Sequence, residues 1–327
     1  MRLPFQVQQT KAQVLLIVAL TLTLFQASNA TEQNKPSLRR SLQQDDSSNS
    51  NSTDIDIVNG IDAAFNEFPF SVLFNTRSCG GVLIHEDIVA TAAHCVDNNN
   101  DVGFPDSVRI GSTTLTNGLV RDVCGGNRHP NYRLSGLEND IAILQLCQSV
   151  NLQPATINDN DAYPADNQNV IAIGYGRTGT NAPASNTLQK LTMAHIGNAQ
   201  CSSIFPDHNP GYNICVDNTN GGICFADSGS GLVDTNGVLL GVASFILGGG
   251  ECANEFPDFY TRISSYNVWL QNQICDYSSN PPANCSTLGD DIGPDDDEDD
   301  PGFFKRCIDF LFGCFGNTFR RITGRGE

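Results

Sequence analysis

Twelve cysteines are spread along the 327 residues, and the start of the chain decides what they can do. Arg2 and Lys11 precede an apolar run, Val14-Leu-Leu-Ile-Val-Ala-Leu-Thr-Leu-Thr-Leu-Phe25, and the small residues Ser28 and Ala30 follow it. That is the layout of a secretory signal peptide, here 1–30, cut after about Ala30. A signal anchor is the alternative, but the run of about a dozen residues is shorter than the roughly 20 that a spanning helix needs. Export to the extracellular space puts the chain in an oxidising compartment, where an even number of cysteines reads as disulfides.

The length allows one large domain or two modest ones, and 39% hydrophobic residues can build a sizeable core. A net charge of −18 argues against nucleic acid as a partner. Residues 31–56 are polar, rich in Ser, Asn, Gln and Asp, and are not expected to fold alone. They carry a glycosylation sequon at Asn51-Ser-Thr53, and a second, weaker one stands at Asn284-Cys-Ser286. The runs Ser78-Cys-Gly-Gly-Val-Leu-Ile84 and Ile88-Val-Ala-Thr-Ala-Ala-His-Cys-Val96 read as short β-strands with apolar and β-branched residues. Residues 97–117, rich in Asn, Asp, Gly and Thr, read as loops between short strands.

The far end changes character twice. Residues 276–302 form an acidic linker with Pro281-Pro282 and the run Asp295-Asp-Asp-Glu-Asp-Asp300. In the tail, 303–327, Phe304, Ile308, Phe312, Phe315, Phe319 and Ile322 recur at helical spacing, with Lys305, Arg306, Arg320 and Arg321 nearby. That pattern reads equally as an amphipathic helix for a membrane surface or partner and as a segment that packs on the rest of the protein. Cys307 and Cys314 would lie about 10 Å apart along such a helix, beyond disulfide reach. Cys275 and Cys285 make a plausible short loop.

Three stretches carry chemistry. Gly222-Ile-Cys-Phe-Ala-Asp-Ser-Gly-Ser-Gly-Leu232 presents a serine at a tight, glycine-flanked turn. Thr91-Ala-Ala-His-Cys95 sets a histidine beside a cysteine, and Glu138-Asn-Asp-Ile-Ala-Ile-Leu-Gln-Leu146 sets an aspartate at the head of a hydrophobic strand. Taken in chain order, histidine then aspartate then serine, these stretches resemble the trypsin/chymotrypsin-like serine proteases. Ile57-Val-Asn-Gly60, His129-Pro-Asn-Tyr132, Val170-Ile-Ala-Ile-Gly-Tyr-Gly176, Tyr260-Thr-Arg-Ile263 and Tyr266-Asn-Val-Trp-Leu-Gln-Asn-Gln-Ile274 extend the resemblance over 57–275. The fold it implies is all-β: a chymotrypsin-like pair of six-stranded antiparallel barrels with a C-terminal helix. The chain shows no internal repeat.

By the same resemblance His94, Asp140 and Ser228 form a catalytic triad, and the backbone N–H groups of Ala226 and Ser228 form the oxyanion hole. A buried ion pair between the freed amino group of Ile57 and Asp227 would switch the enzyme on, which makes 31–56 a propeptide and the product a zymogen. The residue before the cut is Asp56, where trypsin-activated relatives carry Arg or Lys. Either the activating protease cleaves after Asp, or a cut after Arg39-Arg40 is followed by trimming, or processing differs. Cys79–Cys95, Cys201–Cys215 and Cys224–Cys252 match family disulfides. Cys124 and Cys147 do not, but fall on segments that would be neighbouring antiparallel strands and are expected to pair. Calcium-binding relatives place paired glutamates between the positions of Asp97 and Val123; none stands here, so neither metal nor cofactor is expected. The other histidines, His85, His129, His195 and His208, read as surface or packing residues.

The expected substrate pocket is lined by Gly222, Ser244, Ile246 and Asp258. Gly222 stands where a trypsin-like enzyme has Asp, so strict cleavage after Arg or Lys is not implied. Gly222 with Asp258 resembles the broad-specificity, collagenase-like branch of crustaceans, which takes basic as well as apolar side chains; the alternative is an Asp258 that never meets substrate. Three departures from the usual Gly-Asp-Ser-Gly-Gly-Pro pattern, Ala226, Ser230 and Gly231, motivate a rival reading, a catalytically weak homologue that acts as a binding or inhibitor protein. The partners expected are protein or peptide substrates and the activating protease, with the protein itself a monomer.

Overall fold

The computed structural model describes residues 57–97 and 103–285. The expectations for the signal peptide, the propeptide, the acidic run, the tail and Cys307 and Cys314 lie outside the described residues.

The chain runs β1 (Ile61–Asp62), β2 (Ser71–Phe74), β3 (Gly80–His85), β4 (Ile88–Thr91), β5 (Ser107–Ile110), β6 (Leu119–Arg128) and β7 (Ala142–Leu146). It continues with β8 (Thr156–Ile157), β9 (Asn169–Gly174), β10 (Gln189–Ile196), helix α1 (Asn198–Ile204), β11 (Asn213–Asp217), β12 (Gly231–Val233), β13 (Val238–Ile246), β14 (Asp258–Arg262) and helix α2 (Asn267–Tyr277). Six strands close one antiparallel barrel in the order β2-β3-β4-β7-β6-β5. Six more close a second in the order β9-β10-β11-β14-β13-β12, sealed by β12 against β9. β1 pairs with β10, and β8 adds to β13 in parallel. Closure removes the exposed edges that strands this short would otherwise leave unpaired. The expected double barrel with a C-terminal helix is what the chain forms.

The strand sequences explain the closure. β4 is Ile-Val-Ala-Thr, buried at every position, and pairs with β3 and β7 in its barrel. Val82, Leu83, Ile88, Val89, Ile110, Ile143 and Leu144 fill the first barrel; Val170, Ala172, Ile214, Val216, Leu240 and Tyr260 fill the second. Under α1 a smaller cluster gathers Cys201, Cys215 and Phe259, and the rings of Phe245 and Phe259 stack at 4.5 Å.

Among the described residues, five disulfides join Cys79 to Cys95, Cys124 to Cys147, Cys201 to Cys215, Cys224 to Cys252 and Cys275 to Cys285. The second links β6 to the residue after β7, its antiparallel neighbour. The packed body also runs on past Cys275. Ser278 Oγ donates to Asp87 Oδ1 at 2.7 Å, and the Ser279 amide and hydroxyl donate to Asp87 Oδ2 at 2.6 and 2.7 Å. The first residues of the expected linker are therefore bound to the first barrel.

Candidate active site

His94 stands on a 3₁₀ turn, Ala93–Val96, directly after β4. Thr91 anchors the strand end by donating from Oγ1 to the Gly80 carbonyl at 2.8 Å, and Cys79–Cys95 fastens the turn to β3. Asp140 leads into β7 and is fully buried. A carboxylate there is expensive unless its oxygens are bonded, and they are. Oδ1 accepts the His94 backbone N–H at 2.9 Å; Oδ2 lies 2.8 Å from His94 Nδ1 and accepts Ser244 Oγ–H at 2.6 Å. Because the carboxylate only accepts, Nδ1 carries the proton and Nε2 is the basic nitrogen of the neutral ring. Burial alone pulls the His94 pKa down, but the charge and hydrogen bond of Asp140 outweigh it and raise the pKa above 6.5. Thr261 holds the same residue from the second barrel by donating to the Asp140 carbonyl at 2.8 Å.

Ser228 sits on the loop between Cys224 and β12. The Gly80 N–H bonds to its carbonyl at 2.8 Å, and Gly229 N–H and Ser230 O bond to the two sides of Ala243 at 2.8 Å each. These contacts press the loop onto β3, beside the His94 turn, and onto β13, beside Ser244. Thus the structure brings the regions of His94, Asp140 and Ser228 together, although they lie far apart in sequence. Asp227, Gly229 and Ser230 each donate their backbone N–H within the protein. Among the described residues, no acceptor is bonded to the N–H of Ala226 or Ser228. Ala226 has φ +76°, a region an L side chain occupies at a cost of about 1–2 kcal/mol.

Asp227 is fully buried. Its Oδ1 accepts Gly176 N–H at 2.7 Å and its Oδ2 accepts Cys224 N–H at 3.0 Å. A Cβ at Gly174 or Gly176 would fall within 2.3 Å of its carboxyl atoms, which is why that strand reads Gly-Tyr-Gly. Val58 bonds to Gly222 in both directions, at 3.1 and 3.2 Å, so the segment starting at Ile57 lies along this loop. Ile57 itself is fully buried, at φ +44°.

Asp258 heads β14, fully buried, with Ile246 opposite it in register at the end of β13. Its Oδ2 accepts the Ile223 N–H at 2.7 Å and its Oδ1 accepts Asn218 Nδ2–H at 3.0 Å. Gly222 lies directly over it: a Cβ there would stand 2.4 Å from Oδ2. Burial raises the Asp258 pKa to about 7, against the pull of these two hydrogen bonds and with help from the charge of Asp227. Near the serine loop, Phe225 is half exposed with the Arg177 guanidinium 5.4 Å above its ring.

Asn218 and Thr261 are absent from the sequence reading. Asn218 lies in a turn without a motif, and Tyr260-Thr-Arg-Ile263 marks Thr261 only as a strand residue; the fold alone puts them against Asp258 and Asp140. Of the histidines read as packing residues, His195 and His208 are buried and His129 packs between Tyr266 and Trp269. Among the described residues, His94 with Cys79 and Cys95, and His208 with Cys201 and Cys215, come close enough to share an ion. In both groups the cysteines are joined to each other and offer no thiolate to a metal.

A family model described as Trypsin matches residues 57–270. Serine protease SP24D of Anopheles gambiae is 33% identical over 230 residues, covering 68% of this chain and 82% of that protein. Trypsin of Xenopus laevis is 33% identical over 229 residues, covering 67% and 90%. Brachyurin of Leptuca pugilator is 32% identical over 228 residues, covering 66% and 98%. Among solved structures, neuropsin, a serine protease expressed in the limbic system of mouse brain, superposes with a TM-score of 0.57 at 27% identity, covering 65% of this chain and 97% of that one.

Proposed function

Since the chain belongs to the trypsin family of serine proteases and is a serine endopeptidase, we propose that His94, Asp140 and Ser228 do its chemistry. The reaction template is the one the family itself defines. His94 Nε2 takes the proton of Ser228 as the hydroxyl attacks the peptide carbonyl, then gives it to the leaving amine. Asp140 holds the ring by Nδ1 and stabilises its charged form. The N–H groups of Ala226 and Ser228 receive the oxyanion. Water then attacks the acyl-enzyme, with His94 again as base. The observation that carries this reading is the fully buried Asp140, bonded at once to the backbone N–H and ring Nδ1 of His94 and to Ser244.

The enzyme is proposed to be secreted by way of the 1–30 signal peptide and made as a zymogen that is cut before Ile57. Two facts support this. Val58 is bonded along Gly222, and Ile57 is buried at a positive φ that a β-branched residue adopts only under strain. A cut removes the preceding carbonyl that defines this φ, and frees an amino group to pair with the buried Asp227. In the primary pocket, the missing side chain at Gly222 lets the Asp258 carboxylate lie against it, so the proposed preference covers apolar and basic side chains, with Ile246 at the wall.

The test is labelling by a fluorophosphonate of protein with a verified Ile57 N-terminus, beside a Ser228→Ala control, followed by a peptide library varied at the residue before the cut. Labelling that vanishes in the control is the expected result. No labelling of folded, processed protein would overturn the assignment of the triad and move the weight to a weak, binding homologue.

A further inference from the structure

The turn that carries His94 is only four residues long, and Ala92 before it supplies no side-chain cap. The Cys79–Cys95 bond fixes one side. The turn ends at Asp97, which is 1% exposed, and its Oδ1 lies 2.5 Å from Arg128 Nη1. Burying that carboxylate is costly unless a cation meets it, and the cation comes from 31 residues away. Arg128 is the last residue of β6 and stands directly opposite Ala142 of β7, two residues after Asp140. The ion pair therefore ties the exit of the His94 turn to the strand that holds Asp140. Tyr132 lies near enough for Asp140, Asp97 and Arg128 all to act on its hydroxyl. A cavity of about 360 Å³, lined by Asp97, Phe104, Asn127, Arg128, Tyr132 and Leu134 among others, opens beside the pair. The charge pair closes the turn on the side that faces this cavity.

We propose that Arg128 is a positioning residue for the protease reaction: its bond to Asp97 sets the His94 turn against Asp140. The inference rests on the catalytic roles proposed above. Without the guanidinium, Asp97 would draw toward the cavity and water, and the ring of His94 would follow its turn. Alignment with Ser228 would suffer, while the substrate pocket around Gly222 and Asp258 would not. A misplacement of about 1 Å costs roughly a hundredfold in rate, so the loss falls on kcat and not on KM.

The experiment uses the full chain, processed to Ile57, as wild type, Arg128→Met, Arg128→Lys and the double variant Asp97→Asn/Arg128→Met. An acylating ester titrates the active serines, and turnover is expressed per titrated site. Arg128→Met is expected to lose roughly ten- to a hundredfold in kcat with KM within about twofold. Arg128→Lys is expected to keep part of that rate, and the double variant, with no stranded charge, most of it. Guanidinium ion at millimolar level is expected to raise kcat of Arg128→Met, because the cavity admits it. Wild-type kcat per site in Arg128→Met would overturn the proposal, as would a loss seen only as a smaller titratable fraction, or no recovery in either the double variant or guanidinium. A wild type with no titratable serine would instead overturn the proteolytic roles themselves, and this inference with them.

Discussion

Ala226, proposed to line the oxyanion hole, has φ +76°, where glycine is at ease and alanine is not. Only the backbone N–H is needed there, so the methyl contributes strain and no chemistry. Ala226→Gly should stabilise the enzyme by roughly 0.5–1 kcal/mol, the strain relief less the extra entropy of glycine in the unfolded chain. If strain also misaims the donor, kcat rises by up to about tenfold; thermal unfolding and steady-state kinetics on the processed protein check both. Asp258 gives a second prediction at this scale. It is neutral below about pH 7 and charged above. The ratio of kcat/KM for basic over apolar residues before the cut should rise roughly tenfold between about pH 6 and 8, since the shared titration of His94 cancels in the ratio. In Asp258→Asn the ratio should be flat; a flat ratio in the wild type would mean that Asp258 never meets the substrate. The stability sign is the reverse. Between the unfolded carboxyl pKa near 3.9 and the folded value of about 7, the folded protein binds the extra proton. Asp258 therefore erodes stability as pH rises through that window. His94, Asp140 and Ser228, the residues proposed for the chemistry, could be singled out in the sequence because each sits inside a contiguous motif. Asn218, which holds Asp258 across 40 residues, has no such run around it, and no local pattern could have pointed to it.

At the scale of elements, the strands were legible as short apolar, β-branched runs, and the barrel closure followed from the resemblance. The clamp on α2 was not. Proline, serine and acid after Cys275 read as a linker, because composition reports how a segment would behave alone. Asp87 changes the outcome. It is fully buried at the β3–β4 turn and accepts from Ser278, from both donors of Ser279 and from His85 Nδ1 at 3.0 Å. Burial pushes its pKa up, but the bonds from Ser279, His85 and Ser278 outweigh that and hold it below 3.8. Its contribution to stability is therefore present above the unfolded carboxylate pKa and is lost as pH falls through the lower folded value. Asp87→Asn leaves donors facing an amide and should cost about 1.5–3 kcal/mol at neutral pH. The variant should also lose part of the wild type's acid-side decline in stability. Urea unfolding at pH 7 and at about pH 3 measures both; equal costs at the two pH values would show that Asp87 does not act through its charge.

For the whole molecule, the two barrels share the proposed site: the first supplies His94 and Asp140, while Ser228, Ser244 and Thr261 come from the second half of the chain. Two of the hydrogen bonds that cross between them, from Ser244 and Thr261, end on the buried Asp140 itself. Activity therefore reports the docking of the barrels, and any segment needed for docking is needed for activity. By this argument the chain beyond Cys285 is dispensable for catalysis. Every residue assigned to the site lies between Ile57 and Thr261, and the family match ends at 270. The residues from 276 to 285 are different, since they hold α2 to the first barrel through Asp87 and close the Cys275–Cys285 loop. Truncation after Cys285 should leave kcat/KM within about twofold and the melting temperature nearly unchanged. Truncation after Asp276 removes both the clamp and the disulfide, each a stabilising contribution of roughly 2 kcal/mol, and should lower the melting temperature by about 5–15 °C for a domain of this size. Equal behaviour of the two truncations would mean that the segment only rests on the barrel. A loss of peptide hydrolysis on removing 286–327 would mean that the basic-aromatic tail takes part in building the site.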